Sequence, residues 1–471
     1  FLYFVLKEIV PSSWVEAEII ERFDAPETEV ETFIVSSIKQ AEGSSLPSLK
    51  TLYLCAYAFT EIGTPKPDTD PLSLIVYAVN DEEARVLTSK GGDKKLIEAL
   101  LELIKGIDPD VIVTWGGNRD LWDYIVKRAK HHKITLGLGR DGREPRRGVY
   151  GHYSIVGRIH VDVMNIALEM GTLKAKTLEE MALYHGVWDG KVMDDYDLSE
   201  LWFSSPEEVV TYVKQRIDAL RKLWKLYVDY AVKLSNTVSY PLDYVLAASP
   251  GNRVDGYVIL HAIKRGELVP PRGRELPETY KGGLVFEPKP GLHEHVVVLD
   301  FASMYPHIIV KYNVSPDTLV EDGCKPDECY VAPKVNHMFR KSPDGLYRAA
   351  VKKLLDERRK IKEMLRKIPS ESPIKRALSA QEKAIKVVAN AMYGYLGWTS
   401  SRWYKREIAE SITAWGRKLI LESAKIVKEL GLTLIYGDTD SLFVKYEPNL
   451  IEDLILRIEE ELGMDIKIDE I

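Results

Sequence analysis

The segment 436–441, with the sequence Tyr-Gly-Asp-Thr-Asp-Ser, constrains the fold of this chain most strongly. Apolar, β-rich residues precede it at 432–435 and follow it at 442–444, so the pattern predicts a β-hairpin with a tight polar turn. Asp438 and Asp440 stand at the tip, where two neighbouring carboxylates repel each other unless a cation binds beside them. Mg²⁺ prefers oxygen ligands of this kind. The hairpin is therefore a candidate metal site, and the alternative is a solvated acidic turn.

A second acidic position strengthens the metal interpretation. The apolar stretch 295–299 reads as a buried strand, and it ends at Asp300. We expect Asp300 to lie beside Asp440, where the two carboxylates could share a pair of metal ions. Two metals roughly 3.5–4 Å apart stabilise both the attacking and the leaving oxygen of a phosphoryl transfer.

Basic residues are concentrated between these two acidic positions. The whole chain of 471 residues carries a formal charge of −7, but residues 340–386 contain 15 Lys and Arg against 6 Asp and Glu. Proline at both ends of residues 369–373 predicts a break between two helices, and hence a helical hairpin. The residues expected on its polar faces, from their spacing of three or four, are Arg358, Lys362, Lys386, Asn390 and Tyr393. Such cations bind phosphate oxygens, although a solvated helix face explains them as well.

Four segments in order resemble the motifs of family B DNA polymerases of the archaeal type, and the resemblance covers nearly all of the chain. Residues 300–306 resemble motif A, and residues 436–441 match motif C fully. Residues 386–394 resemble motif B, with Ala391 where the family usually has Ser. Residues 280–283 resemble the Tyr-x-Gly-Gly element that links the nuclease and polymerase domains.

The resemblance implies a multidomain α/β and α+β chain. It predicts a ribonuclease H-like exonuclease-type domain, followed by a polymerase palm of antiparallel sheet plus helices with a helical-hairpin fingers insertion. The expected segments are a remnant of an N-terminal domain at 1–45, the exonuclease-like domain at 46–235, the palm at 236–350 and 398–471, and the fingers at 351–397. We expect the thumb to be absent from this chain and to come from a separate polypeptide or a longer parent chain. The first residue, Phe1, favours an incomplete sequence.

The implied reaction is template-directed nucleotidyl transfer from a dNTP to a primer 3′-hydroxyl, with two Mg²⁺ ions for which Mn²⁺ can substitute. Asp300 and Asp440 would bind both metals, the backbone carbonyl of Phe301 would assist, and Asp438 would be a peripheral catalytic carboxylate. The implied nucleotide-binding residues are Ser303, Met304, Tyr305, Arg358, Lys362, Lys386 and Asn390. Tyr305 would crowd a 2′-hydroxyl, whereas without the motif it reads as a core aromatic residue. The implied template- and DNA-binding residues are Tyr280, Gly282, Gly283, Tyr393 and Gly394.

The exonuclease motifs depart from the family pattern at each acidic position. The residues that stand where the family has metal-binding acids are Cys55, Tyr57, Leu121 and Arg216. Arg216 places a positive charge where Mg²⁺ would bind, so the resemblance predicts that proofreading is lost. An alternative is a nuclease with relocated ligands, for which the nearby acids are Glu61, Asp120 and Asp218.

Further expectations concern the thiols, the partners and the location of the chain. Cys324 and Cys329 lack other Cys or His residues that would complete a zinc site. A short-loop disulfide is one alternative for them, and we predict two free thiols. The expected partners are primer–template DNA and dNTP, with a thumb-bearing polypeptide and a sliding clamp as further candidates. We expect no membrane span and a cytoplasmic, nucleoid-associated location if the source is archaeal. A non-catalytic assembly subunit derived from a polymerase is the remaining alternative.

Overall fold

The computed structural model describes residues 2–23, 30–41, 47–89, 92–170, 177–273, 279–321, 323–370 and 372–471. The chain forms two compact units, Phe1–Ser249 and Pro250–Ile471. Residues 236–249, which the sequence assigns to the palm, lie in the first unit. Among the described residues, no helix combines the length and the apolar character that crossing a bilayer requires.

The first unit is built on a five-stranded mixed sheet. The strands of the first unit in chain order are β1 (Val15–Phe23), β2 (Thr32–Gln40), β3 (Thr51–Ala58), β4 (Leu72–Val79), β5 (Arg85–Thr88), β6 (Val111–Thr114), β7 (Arg146–Arg147), β8 (Tyr153–Ser154) and β9 (Ile159–Asp162). β1 pairs with β2, and β7 pairs with β8, in two separate two-stranded sheets. The order across the sheet is β5-β4-β3-β6-β9. β3 pairs antiparallel with β4 and parallel with β6, and β6 pairs parallel with β9. Parallel pairs need crossover connections, and the helices Asp93–Ile107 and Trp122–His131 lie on the connections between β3 and β6 and between β6 and β9.

Helices cover the sheet of the first unit. They are α1 (Leu2–Leu6), α2 (Asp93–Ile107), α3 (Trp122–His131), α4 (Val163–Met170), α5 (Leu178–Tyr184), α6 (Asp195–Ser204), α7 (Pro206–Val238) and α8 (Leu242–Ala247), with a π-helical turn at Gly117–Leu121 before α3. The sequence predicts that Ser205 begins α7 through a capping box, with Pro206 as the first helical residue. Pro206 stands there, but the Ser205 side chain makes no capping hydrogen bond. Ser205 also ends α6, where its amide donates to Leu201, and this contact sets its backbone conformation.

The second unit is built on a four-stranded antiparallel sheet and a set of helices, which confirms the predicted fold class. Its strands are β10 (Val296–Phe301), β11 (Leu319–Val320), β12 (Cys329–Val331), β13 (Met338–Arg340), β14 (Leu434–Asp438), β15 (Ser441–Lys445) and β16 (Ile466–Glu470). Its helices are α9 (Pro250–Lys264), α10 (Met304–Lys311), α11 (Leu346–Lys367), α12 (Pro373–Leu396), α13 (Arg406–Glu429) and α14 (Pro448–Leu462). The central sheet has the order β14-β15-β10-β16, and β11, β13 and β12 form a smaller sheet. α11 and α12 pack together as the predicted helical hairpin.

The prediction of free thiols at Cys324 and Cys329 is wrong, because the two residues form a disulfide. The amides of Glu328 and Cys329 both donate to the carbonyl oxygen of Lys325, so the chain turns back on itself within this loop. The turn brings the two Cα atoms to 6.1 Å, a separation that a disulfide spans. Cys55 is buried and has a free thiol.

Candidate active site

One face of the central sheet of the second unit carries a row of polar residues. Along β10 the side chains alternate, so Leu299 and Phe301 are buried and Asp300 is partly exposed on the other face. Asp300 lies opposite Ser441 of β15 and opposite Lys467 of β16. Ser441 in turn lies opposite Asp438 of β14. The cross-strand row Asp438, Ser441, Asp300 and Lys467, which we call the polar row, therefore runs across all four strands.

The hairpin between β14 and β15 holds Asp440 beside this row. Thr439 takes a positive φ of 51° in the two-residue turn, as tight hairpins require. The amide of Phe301 donates to the backbone oxygen of Asp440 at 2.9 Å, which joins the end of β10 to the turn. The amide of Phe286 donates to the oxygen of Gly437 at 2.8 Å. A Cβ atom on Gly437 would lie 2.8 Å from the Phe286 ring, so this close approach requires glycine.

The pKa values of Asp300 and Asp440 reflect their burial and the charged groups that lie around them. Burial raises the pKa of Asp300, and the carboxylates of Asp440 and Asp469 raise it further, while Lys467 and Lys386 oppose the rise. Burial likewise raises the pKa of Asp440, with a further contribution from Asp438. Each shift reflects carboxylates held close together in partly buried positions, an arrangement that a bound cation stabilises.

The donor set fits a divalent cation such as Mg²⁺. Asp300, Asp440 and the carbonyl of Phe301 offer hard oxygen ligands at one end of β10. In the part of the chain that the structure describes, no three His, Cys, Asp or Glu side chains converge as a ready metal site. Mg²⁺ sites in phosphoryl-transfer enzymes use one or two carboxylates and take their remaining ligands from substrate phosphates and water. Two carboxylates and a carbonyl are consistent with that type of site.

The helical hairpin contributes a group of cations. Arg358 is largely buried; its Nη1 donates to Ser303 Oγ at 2.8 Å, and its Nε donates to Glu382 Oε1 at 2.5 Å. Lys362 Nζ lies 4.0 Å from the same Glu382 oxygen. Burial lowers the pKa of Lys362, and Arg358 lowers it further. The side chains of Lys386 and Asn390, one turn apart on α12, are exposed.

Three tyrosines form a second cluster. The hydroxyls of Tyr280 and Tyr393 are 3.1 Å apart, and the rings of Tyr305 and Tyr393 have centroids 4.3 Å apart. Burial raises the pKa of Tyr305 to about 12, and Asp440 adds to this shift. The structure thus places Tyr305 of motif A between the acidic turn and Tyr393 of motif B.

The Tyr-x-Gly-Gly element lies against the acidic hairpin. The oxygen of Gly282 accepts a hydrogen bond from Arg417 Nη1 at 2.6 Å. A Cβ atom on Gly283 would lie 2.8 Å from Thr439 Oγ1, so glycine allows this segment to pack on the turn. Gly394 is exposed on α12, and Met304 is buried at the start of α10.

Sequence reasoning missed three charged residues of this site. Glu382 stands one turn before Lys386, and this spacing was a usable signal. Lys467 lies opposite Asp300, and Asp469 follows beside a register shift between the two strands, where its carboxylate adds to the effect of burial and of Asp440 on the pKa of Asp300. No local signal reveals their position, because it depends on how β16 pairs with a distant strand.

The first unit brings together Cys55, Tyr57 and Arg216, three of the four residues predicted to replace exonuclease metal ligands. Arg216 lies over the Tyr57 ring at 5.7 Å, and its Nε is 3.1 Å from Glu179 Oε1. The Tyr212 hydroxyl donates to the same carboxylate at 2.8 Å. Burial raises the pKa of the Cys55 thiol to about 11, against the opposing effect of Arg216. A buried ion pair thus stands beside Tyr57 and Cys55.

The other residues considered for a nuclease site lie elsewhere. Leu121 packs against the hydrophobic core of the first unit. Glu61 is exposed. Asp120 forms an exposed ion pair with Arg119, and Asp218 pairs with Arg221.

Comparison with protein families matches two models. Residues 240–466 match DNA polymerase family B, and residues 77–181 match the exonuclease domain of DNA polymerase family B.

Comparison with individual proteins gives archaeal relatives. The chain is 43% identical over 434 residues to a DNA polymerase 2 from Aeropyrum pernix, which covers 90% of this chain and 54% of that protein. It is 37% identical over 450 residues to a DNA polymerase from Archaeoglobus fulgidus, and this alignment covers 94% of this chain and 56% of that protein. The chain therefore spans about half the length of these curated relatives. The solved structure of the family B DNA polymerase from Pyrobaculum calidifontis matches with a TM-score of 0.87 at 38% identity, over 100% of this chain and 62% of that one.

Proposed function

The chain belongs to DNA polymerase family B, and we propose that its second unit catalyses template-directed transfer of a nucleotide from a dNTP to a primer 3′-hydroxyl. The proposal depends on one observation above all. Asp300 and Asp440 lie at one end of an open sheet face, where burial and the Asp440 carboxylate raise the pKa of Asp300, and burial and the Asp438 carboxylate raise the pKa of Asp440. Arg358, Lys362 and Lys386 lie on the helices next to them. Acids for a metal and cations for phosphates are the two parts that phosphoryl transfer needs.

The implied metal would be held by Asp300, Asp440 and the carbonyl of Phe301. When bound, divalent ions would stabilise the negative charge that develops on the attacking and leaving oxygens. Asp438 would act from the adjacent strand as a peripheral carboxylate.

The cations would bind the triphosphate and orient its α-phosphate toward the primer. Arg358 is positioned for this by its hydrogen bond to Ser303, which fixes the guanidinium at the start of α10. Lys362 and Lys386 would neutralise the charge of the phosphate oxygens, and Asn390 would assist from the same helix as Lys386.

Tyr305 would lie under the sugar of the incoming nucleotide and exclude a 2′-hydroxyl. Its ring is held by Tyr393, which is itself joined to Tyr280 through their hydroxyls. Tyr280, Gly282, Gly283, Tyr393 and Gly394 would contact the template side. These contacts make primer–template DNA and dNTP the proposed substrates, with a thumb-bearing polypeptide and a sliding clamp as proposed further partners.

We propose that the first unit does not proofread. The observation that supports this is the ion pair of Arg216 and Glu179, which lies beside Tyr57 and Cys55. A guanidinium opposes the binding of Mg²⁺ by charge repulsion. The domain assignments that accompany this proposal are the exonuclease-like region at 46–235, the palm at 236–350 and 398–471, and the fingers at 351–397. Residues 236–249 of the assigned palm belong to the first compact unit, so the palm within the second unit begins at Pro250.

The test is single-turnover incorporation of one nucleotide, at saturating primer–template and low salt, by the parent chain and by Asp440→Asn. We expect the substitution to abolish incorporation, because it removes a carboxylate from the metal site while keeping its shape. Asp453→Asn is a matched control, since Asp453 is exposed on α14, and it should retain the parental rate. Incorporation by Asp440→Asn at the parental rate would remove this carboxylate from the mechanism. A parent chain that binds DNA but incorporates nothing would favour the non-catalytic assembly subunit.

A further inference from the structure

We propose that Lys467 is a further nucleotide-binding residue, which contacts the triphosphate of the incoming dNTP from the sheet while Arg358, Lys362 and Lys386 contact it from the helical hairpin. The inference rests on the proposed polymerase function and adds a specific residue to it.

The strand register places Lys467 at the centre of the site. Lys467 lies directly opposite Asp300 in the antiparallel pair of β10 and β16. Its neighbour Ile466 is buried opposite Phe301, so Lys467 points to the other face, which is the face of Asp300. Directly opposed residues in an antiparallel pair have Cβ atoms about 4.5–5.5 Å apart. Lys467 is therefore an immediate neighbour of the principal acid of the site.

The ammonium group of Lys467 is available for a ligand. Its side chain is exposed. Within the described residues, no carboxylate oxygen lies within the 4.0 Å that defines an ion pair for Lys467, although Asp300 is opposite. A lysine without a fixed partner beside a phosphate-transfer site can bind phosphate oxygens as a mobile point charge.

Lys467 lies near the cations of the helical hairpin. Lys362 is close enough that Lys467 and Lys386 both lower its pKa, after the larger effects of burial and Arg358. Glu382 already contacts Arg358 and lies near Lys362, so it offsets part of their charge. Lys386 and Lys467 have no such carboxylate partner among the described ion pairs. Both lysines act on the pKa of Asp300, and neither is held in an ion pair among the described residues, so each can contact a triphosphate.

The position of Lys467 opposite Asp300 also predicts that its charge weakens the binding of a metal ion. A cation opposite Asp300 repels a divalent ion that binds the same carboxylate. Removal of the Lys467 charge should therefore weaken nucleotide binding and strengthen metal binding in the nucleotide-free protein. A merely structural role for Lys467 would not shift these two affinities in opposite directions.

The experiment compares the parent chain with Lys467→Met, Lys467→Arg and the control Lys445→Met. Lys445 is a lysine of the same sheet, opposite Val296 at the far end of β10. Nucleotide affinity is measured by equilibrium titration of a fluorescent dNTP, in Mg²⁺, on primer–template that ends in a dideoxynucleotide. Metal affinity is measured by electron paramagnetic resonance of Mn²⁺ without nucleotide.

We expect Lys467→Met to raise the Kd for dNTP about tenfold, the effect of losing one charged hydrogen bond, and to lower the Kd for Mn²⁺. Lys467→Arg should restore dNTP binding to within about threefold of the parent, as expected when the charge is kept, and Lys445→Met should match the parent in both titrations. Unchanged dNTP affinity in Lys467→Met overturns the inference but leaves the polymerase function intact if the parent still extends primers. Weaker binding of both dNTP and Mn²⁺ also overturns it, because that pattern indicates a disturbed fold. A parent chain that incorporates no nucleotide overturns the proposed function and this inference with it.

Discussion

Replacement of Arg216 by alanine tests how much the buried ion pair of Arg216 and Glu179 stabilises the first unit. The Arg216 side chain is 12% exposed and that of Glu179 only 1%. Arg216→Ala would remove the charge partner of the buried Glu179 carboxylate and leave the hydrogen bond that Glu179 accepts from the Tyr212 hydroxyl. Removal of one partner of a buried pair costs about 3–5 kcal/mol. Because the Tyr212 hydrogen bond remains, we expect the lower end of this range, about 3 kcal/mol.

Hydrogen exchange of the whole chain is the suitable assay, because it reports the local opening free energy of each peptide. A loss of about 3 kcal/mol lowers protection about a hundredfold, and we expect this in the peptides that cover β3 and α7. Lys214→Ala is the control, since Lys214 is exposed on the same helix, and it should change the opening free energy by less than about 0.5 kcal/mol.

The double variant Arg216→Ala with Glu179→Gln distinguishes the interaction between the two side chains from the packing that each makes with other residues. If the two side chains stabilise the unit together, the double variant loses less stability than the sum of the two single variants. Protection in Arg216→Ala that stays within about threefold of the parent would rule out a stabilising ion pair, because about 3 kcal/mol corresponds to a far larger change. Additive effects in the double variant would rule it out as well.

Three other perturbations follow from the same contacts. Tyr305→Ala should raise the efficiency of rNTP relative to dNTP in steady-state incorporation, because it removes the ring that would crowd the 2′-hydroxyl; an unchanged ratio assigns the sugar gate to another residue. Glu382→Gln should lower the KM for dNTP a few-fold, since it keeps a hydrogen-bond acceptor for Arg358 but removes a negative charge that opposes the triphosphate; a higher KM would show that Glu382 instead positions Arg358. Burial acts to raise the pKa of Asp93, but hydrogen bonds from Arg128 and His132 lower it to about 2. The ionised Asp93 therefore stabilises the folded state by about 2 kcal/mol. This stabilisation is present above pH 3.8 and is lost as the pH falls toward 2. Acid unfolding of Asp93→Asn should lack this component, and an identical pH profile would contradict it.

Local patterns were sufficient to predict much of the polymerase unit. The acidic hairpin follows from two β-rich runs around a two-residue turn, and its strands β14 and β15 form as predicted. The helical hairpin follows from the prolines at 369 and 373. Arg358 and Lys362 meet at Glu382 because spacings of four residues put side chains on one helix face.

Contacts between distant segments could not be predicted in the same way. The pairing of Asp300 with Lys467 depends on a strand register across the chain, and a one-residue slip would turn Lys467 to the buried face. The buried partner of Arg216, Glu179, lies on a different helix and carries no local signal. The disulfide of Cys324 and Cys329 depends on the turn at Lys325, whose backbone geometry the spacing of the two cysteines does not specify.

The proposed function has two parts: the second unit joins nucleotides at Asp300 and Asp440, and the first unit does not cleave DNA. One assay addresses both parts: a 5′-labelled primer with a matched or mismatched 3′ end is incubated with Mg²⁺, with and without dNTP, and with the parent chain or Asp440→Asn. We expect extension of the matched primer by the parent, no extension by Asp440→Asn, and no shortening of either primer by either protein. Shortening that persists in Asp440→Asn would contradict this expectation, because it would reveal a nuclease with its own metal ligands in the first unit.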